Sequence, residues 1–243
     1  MNPDPALVIN DGRFAGLIAT WAEARSGTAQ SGDPAASTSM LWIPDDDRPQ
    51  RDRRTAAVGR QAELCHLPAP LDRSSIAFTP GRSGTTAGSL SEDLITHTRT
   101  TIMLASACLQ AAAWGLSRVV WPIHIGGTSS TEIDLDELTD VCDRALLVSQ
   151  LVSLDLPRSA ARTAGRMGVR ITTPFVDLTD AQMMDLALDM DVPLGACWWC
   201  LNDQPEPCGQ CGQCLRWRQA LSAVDPAQAL RLDELARQSH AGV

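Results

Sequence analysis

The sequence predicts an α/β protein: a parallel sheet with helices on both faces. Two observations carry that expectation. Short apolar runs alternate with longer segments of helical periodicity, the pattern of strands joined by crossover helices. The chain has 243 residues and no internal repeat, a length that suits one large domain with at most a small appendage.

The elements follow in order. "ALVIN" (6–10) is a first strand, followed by Asp11-Gly12 and an amphipathic stretch to Arg25. "SMLWIP" (39–44) is a second strand, leading through Asp45, Asp46 and Asp47 into an Arg-rich helix over 50–65. "SSIAFT" (74–79) reads as a third strand, and "PGRSGTTAGSLS" (80–91) as a loop by its Gly and Ser content. A helix over 97–115 precedes the strand "RVVWPIHI" (118–125). Residues 134–153 carry Leu135, Leu138, Cys142, Ala145 and Val152 at helical spacing, which predicts an amphipathic helix with those residues on its apolar face. "VRITTPF" (169–175) is the last strand and "DAQMMDLALDM" (180–190) a last long helix before the cysteines. Ligands of parallel sheets bind beyond the carboxyl ends of the strands, so the loops after residues 10, 44 and 125 should build a site.

Composition narrows the chemistry. Hydrophobic residues make up 44% and charged residues 20%, ordinary for a globular protein. A net charge of −9 argues against nucleic acid as a partner, except through a local basic patch. "MNPDPALVIND" lacks the basic and apolar regions of a signal peptide. "TTIMLASACLQAAAWGL" is too short and too polar to span a membrane, so a cytoplasmic location without membrane contact is expected. All 20 basic residues are Arg, and Tyr is absent as well. Mechanisms that need a Lys Schiff base, a phosphate-gripping Lys or a Tyr proton donor are therefore excluded.

"CWWCLNDQPEPCGQCGQC" (197–214) holds five of the eight cysteines. In a reducing compartment such a cluster means metal or redox chemistry rather than disulfides. Cys208, Cys211 and Cys214 form C-x2-C-x2-C with Gly209 and Gly212 inside it, and Cys200 is the natural fourth ligand, with Cys197 spare. Four thiolates around Zn2+ make a closed structural site; an iron–sulfur cluster is the competing occupant.

The segment "TPFVDLTDAQMMDLALDMDVPLGACWWCLNDQPEPCGQCGQCLRWRQAL" resembles the C-terminal third of the 7-cyano-7-deazaguanine synthase family, within the PP-loop ATP pyrophosphatase superfamily. "TRTTIMLASACLQAAAWGLSRVVWPIHIG" is similar to that family's Arg-Asn helix and the strand ending at a His, and "MLWIPDDDRPQRDRRTAAVGRQAEL" to its second strand and Arg-rich helix. The resemblance implies an adenine-nucleotide alpha-hydrolase-like (HUP, Rossmann-like) fold over 1–192 and a zinc-binding region over 193–243. It implies zinc on Cys200, Cys208, Cys211 and Cys214, and ATP with Mg2+ at the first strand's loop. It also implies conversion of a deazaguanine carboxylate to a nitrile on the route to queuosine, and a homodimer.

The chain departs from the family pattern where that chemistry is done. The family's S-G-G-x-D-S loop corresponds to "DGRFAG" (11–16), where only Gly12 survives, Asp11 replaces a hydroxyl and Arg13 replaces a glycine. The Lys of the family's D-L-T-K helix is Asp180, and the substrate segment G-Y-P-D-C-R corresponds to "STEIDL" (130–135). Arg99 matches, its Asn partner is Thr100, and His124 is retained. Each uncompensated negative charge near a phosphate costs on the order of 1–4 kcal/mol. Loss of three parts of one mechanism predicts a degenerate nucleotide site, Asp11, Gly12, Arg13, Arg99 and His124, in a non-catalytic or diverged homologue. The alternatives are an active ATP-dependent enzyme of altered substrate, with Asp45–Asp47 as a metal site, and a zinc module binding nucleic acid or protein through Arg216, Arg218 and the 48–60 arginines. Trp198, Trp199 and Trp217 either present a contact surface for a protein partner or pack around the metal site.

Overall fold

A computed structural model describes residues 5–31, 40–43, 50–70, 92–127, 133–156, 168–202, 204 and 206–227. Among the described residues, four strands, β1 (Ala6–Ile9), β2 (Met40–Trp42), β3 (Arg118–Val120) and β4 (Arg170–Thr172), form a parallel sheet in the order β2-β1-β3-β4. The helices are α1 (Phe14–Ser31), α2 (Arg51–Leu64), α3 (Glu92–Ala113), α4 (Leu135–Asp155), α5 (Asp180–Asp189) and α6 (Gly212–Val224). The expected strand at 74–79, Asp45–Asp47 and residues 130–132 lie outside the described residues.

The period of two along β1 divides the core. Ala6 and Val8 turn to one face and pack with Phe14, Leu17 and Ile18 of α1, Val58 of α2, Met183 of α5 and Leu221 of α6. Leu7 and Ile9 turn to the other and pack with Leu104 and Cys108 of α3 and Val141, Ala145 and Val148 of α4. Helices thus cover both faces, and β1 is buried along its whole length, whereas Arg118 at the start of β3 is half-buried and Arg170 at the start of β4 is exposed. Residues from both sides of position 192 share the first core, since Cys197, Trp217 and Leu221 pack there with Phe14 and Val58.

Two strands are shorter than the sequence predicts, for one reason. β3 ends at Val120 rather than 125 because Pro122 has no N–H for the ladder, and Ile123 N turns back to Trp121 O at 2.8 Å. β4 ends at Thr172, just before Pro174. The chain leaving β3 therefore crosses the sheet's carboxyl edge instead of extending it.

Helix ends follow local chemistry. Asp134 caps α4 by accepting from Asp136 N at 2.9 Å and Glu137 N at 3.2 Å. Thr179 and Gln182 form a reciprocal capping box that starts α5. The buried face of α4 is Val141, Ala145, Val148, Ser149 and Val152. Of the residues expected on that face, Ala145 and Val152 are buried, whereas Leu135 and Cys142 are exposed.

Candidate functional site

The end of β1 is fixed by a buried polar network. Asn10, fully buried, donates from Nδ2 to Thr20 Oγ1 and Gln61 Oε1, both at 2.7 Å, and to Gly16 O at 3.3 Å. Its Oδ1 accepts Gly12 N–H at 2.8 Å, and Gln61 Nε2 continues to Ala196 O at 3.1 Å. Gly12 is at φ +79°, and a Cβ there would stand 2.4 Å from the Arg54 carbonyl oxygen, so both the conformation and the space require glycine. Its carbonyl accepts Trp198 N–H at 2.8 Å, tying this loop to the cysteine segment.

Asp11 sits just ahead of α1. Its carboxylate accepts Arg13 N–H at 3.1 Å and pairs with the Arg13 guanidinium at 3.2 Å. A negative side chain at a helix N-terminus is favourable in itself. Two loop N–H groups, those of Gly12 and Arg13, are thus held by the chain's own side chains.

A second ion pair lies under the loop after β3. Asp180, fully buried at the start of α5, accepts from Arg216 Nε at 2.7 Å and from Nη2 at 2.5 Å. Arg216 Nη2 also donates to Gly126 O. Gly126 is a close-approach position, where a Cβ would lie 2.0 Å from Leu178 O. The Asp180 charge is therefore compensated by Arg216 and does not face a phosphate position uncompensated, a correction to the sequence expectation. His124 completes the cluster, its Nε2 3.5 Å from Asp180 Oδ1 and buried without a hydrogen-bond partner. Burial holds His124 below its ordinary value of 6.5, opposed by Asp180 and reinforced by Arg216, so the imidazole is neutral at pH 7.

These groups surround a cavity of about 360 Å3 at the carboxyl ends of β1 and β3, in the size range of small-molecule sites. Phe14, Trp121, Trp199 and Trp217 supply aromatic walls, and Asp11, Arg13, His124 and Arg216 the ionisable groups. Trp217 packs against Phe14 with centroids 4.3 Å apart and planes tilted by 56°. Of the expected nucleotide-loop residues, Asp11, Arg13 and His124 line the cavity, and Gly12 is buried between Arg54 and Trp198. Arg99 is exposed on α3 and is not among the lining residues. Sequence reading missed the lining role of Trp121, Gln213 and Arg216; the position of α6 after the cysteine knuckle was the one available signal.

The Sγ atoms of Cys200, Cys208, Cys211 and Cys214 all lie within 4.8 Å of one another. Cys200 Sγ and Cys211 Sγ are 3.9 Å apart, close to the ~3.8 Å edge of a tetrahedron with 2.3 Å metal–sulfur bonds. Backbone N–H groups point at the sulfurs: Asn202 N and Cys208 N at Cys200, Leu201 N at Cys211, and Cys211 N at Cys208, at 3.3–3.4 Å. N–H groups of Gln210 and Cys211 pull the Cys208 thiol down to about 6. Four thiols so placed can hold a metal ion and suit a closed tetrahedral site.

Cys197 is buried, with burial pushing its thiol up, and its Sγ contacts Leu194 O; it stays outside the cluster. Trp198 packs with Cys200 and Cys214 and lies under Arg53 at 5.7 Å, while Trp199 and Trp217 line the cavity. Two of the three Trp are thus buried and the third half-buried, and they pack around the cysteine cluster and the cavity. Among the described residues, no helix is long and apolar enough to cross a membrane.

Fold and site define an α/β protein with a cavity at the sheet's carboxyl edge, lined in part by Trp199, Leu201 and Gln213, which flank a four-thiol cluster able to hold a metal ion. Residues 93–225, more than half of the chain, match the family described as "Queuosine biosynthesis protein QueC", and the chain belongs to that family. A 7-cyano-7-deazaguanine synthase of Archaeoglobus fulgidus is 25% identical over 185 residues, covering 73% of this chain and 72% of that protein. Synthases of the same name from Prochlorococcus marinus (strain MIT 9312) and Campylobacter jejuni (strain 81116) are 39% and 42% identical over 46 and 53 residues. Those shorter matches span 20% and 24% of the bacterial proteins.

Proposed function

We propose that this protein is a diverged homologue of 7-cyano-7-deazaguanine synthase that keeps the scaffold, a structural Zn2+ and a ring-sized cavity, and does not bind ATP with Mg2+ through its β1–α1 loop. The observation that carries this reading is the Asp11 carboxylate ahead of α1, bonded to Arg13 N–H and its guanidinium, with Gly12 N–H given to Asn10. An ATP phosphate brought to that loop would meet an anion and two N–H groups already in use, where phosphate loops offer free N–H groups. The ionisable lining groups are paired, Asp11 with Arg13 and Arg216 with the buried Asp180 behind it, so the cavity offers no unpaired positive charge to a triphosphate.

What remains suits a flat, weakly charged ligand. Phe14, Trp199 and Trp217 give aromatic surface against which a heteroaromatic ring stacks, and Gln213 adds a neutral hydrogen-bonding group at the same wall. Zn2+, when bound to Cys200, Cys208, Cys211 and Cys214, closes the knuckle. The knuckle leads directly into the α6 turn carrying Gln213, Arg216 and Trp217.

A second reading, an active enzyme with a remodelled pocket, is favoured by Arg216. It is a guanidinium at the cavity wall whose Nη1 makes no hydrogen bond among the described residues. One assay separates the two. Metal-loaded protein is incubated with ATP, Mg2+, ammonia and 7-carboxy-7-deazaguanine, and products are read by mass spectrometry. The proposal expects no nitrile and no substrate-dependent ATP consumption; formation of 7-cyano-7-deazaguanine at steady turnover overturns it.

A further inference from the structure

The four thiols of the cysteine cluster are unequally exposed. Cys200 and Cys214 are buried, packed with Ala57 and Trp198, whereas Cys208 and Cys211 are half-buried. The chain around the second pair is open. Leu201, Asn202, Pro207 and Gln210 are exposed, and a Cβ at Gly209 or Gly212 would meet no atom within 4 Å. A small oxidant in solution therefore reaches Cys208 and Cys211 before the other two, and the backbone between them has room to move.

The same cluster joins two stretches of the cavity wall. Trp199 and Leu201 stand on either side of Cys200, and Gln213, Arg216 and Trp217 follow Cys211 in the first turns of α6. The stretch before the cluster is tied to the body of the fold by Trp198 N–H to Gly12 O at 2.8 Å and by Gln50 Nε2 to Leu201 O. The stretch after it is tied by Arg216 to Asp180 and Gly126 O. The two meet at the sulfurs, where Cys200 Sγ and Cys211 Sγ are 3.9 Å apart.

We propose that the knuckle is a peroxide-sensitive latch on the cavity: oxidation of Cys208 and Cys211 to a disulfide releases the metal and loosens the wall built from Trp199, Leu201, Gln213, Arg216 and Trp217. The inference rests on the reading of the four thiols as a Zn2+ site. Ligating thiols are held as thiolates, the form that a hydroperoxide attacks. One thiolate takes an oxygen from hydrogen peroxide, giving a sulfenic acid and hydroxide. The second thiolate attacks that sulfur, forming the S–S bond and expelling a second hydroxide. Two thiolates have then lost two electrons to one peroxide. Cys200 and Cys214 alone do not complete a tetrahedral site, so the ion leaves. A dithiol reverses the step by exchange and returns both thiolates.

The test uses the metal-loaded chain with Cys142→Ser, which removes the exposed cysteine outside the cluster; Cys65, Cys108 and Cys197 are buried. Peroxide is added in steps, and released Zn2+ is read with a chromogenic chelator. About one Zn2+ should leave per chain for about one equivalent of peroxide. The far-UV spectrum should hold while the emission of Trp199 and Trp217 shifts to longer wavelength, and dithiothreitol with Zn2+ should restore both signals. Cleavage before Asp203 parts Cys197 and Cys200 from Cys208, Cys211 and Cys214, so the expected bond leaves the two peptides unlinked. Zinc retained through complete oxidation overturns the inference. So does a bond that links the two peptides, a release that dithiothreitol does not reverse, or a release that leaves tryptophan emission unchanged. A chain that takes up no metal before peroxide is added refutes the metal reading, and the inference with it.

Discussion

Breaking the Asp180–Arg216 pair should cost far more stability than an exposed ion pair would, and by an amount the structure bounds. Asp180 is fully buried and Arg216 is 29% exposed at its side chain, with two N–H···O contacts joining them and a third from Arg216 to Gly126 O. Removing one member of a buried pair leaves the other charge uncompensated, typically at 3–5 kcal/mol. Arg216→Met leaves the carboxylate with only neutral His124 nearby, and the partial exposure of Arg216 puts the cost at about 3 kcal/mol. Asp180→Asn keeps one acceptor but sets an amide N–H against a guanidinium N–H, at about 2 kcal/mol. In the double variant neither charge is stranded, so its cost should be about 3 kcal/mol rather than the sum, a coupling of about 2 kcal/mol. Urea unfolding of the metal-loaded proteins, with the slope checked for constancy, reads all four corners of the cycle. Single costs below about 1 kcal/mol that add within about 0.5 kcal/mol would refute the reasoning. Asp180 would then be a solvated anion, and its predicted conflict with phosphate would return.

Three further outcomes follow from the geometry. The cysteine knuckle should bind one Zn2+ per chain by elemental analysis. Cys208→Ser should lose it and lower the unfolding temperature, with fluorescence changes at Trp198, Trp199 and Trp217, which stand beside the knuckle and the cavity. Gly12→Ala should destabilise by about 2 kcal/mol or more in denaturant titration, since it adds both a positive-φ penalty and a clash with the Arg54 carbonyl. His124 is held below 6.5 in the folded chain, so the unfolded chain takes up its proton first. Its contribution to stability is complete above about pH 6.5 and is lost as pH falls towards the depressed folded value. His124→Gln should flatten the stability-versus-pH curve in that window, and an unchanged slope would contradict the assignment.

Much of the architecture was legible because burial on both faces writes itself into short apolar runs such as "ALVIN" and "RVV". The cysteine set was legible because C-x2-C-x2-C spacing dictates local geometry. Strand ends were over-extended where Pro122 and Pro174 remove ladder donors while hydrophobicity continues past them. The α4 face was misassigned because leucine occurs on both sides of that helix: periodicity reports an apolar stripe but not which stripe meets the sheet. Asp180 reads in sequence as an uncompensated charge near phosphate because its partner, Arg216, is 36 residues away and reaches it through the packing of α5 on α6. The Arg13 substitution, by contrast, meets its partner locally, since its guanidinium pairs with Asp11 two residues away at 3.2 Å.

The central claim is that the β1–α1 loop is closed to phosphate by the chain's own carboxylate. Calorimetric titration of the metal-loaded protein with ATP and Mg2+, alongside Asp11→Ser, tests it most directly. The account predicts no measurable heat of binding for the wild-type chain up to millimolar ATP, with weak binding gained once the carboxylate is removed. Micromolar binding by the wild-type chain that is lost on Arg13→Ala would contradict it and would show a phosphate site rebuilt around Arg13.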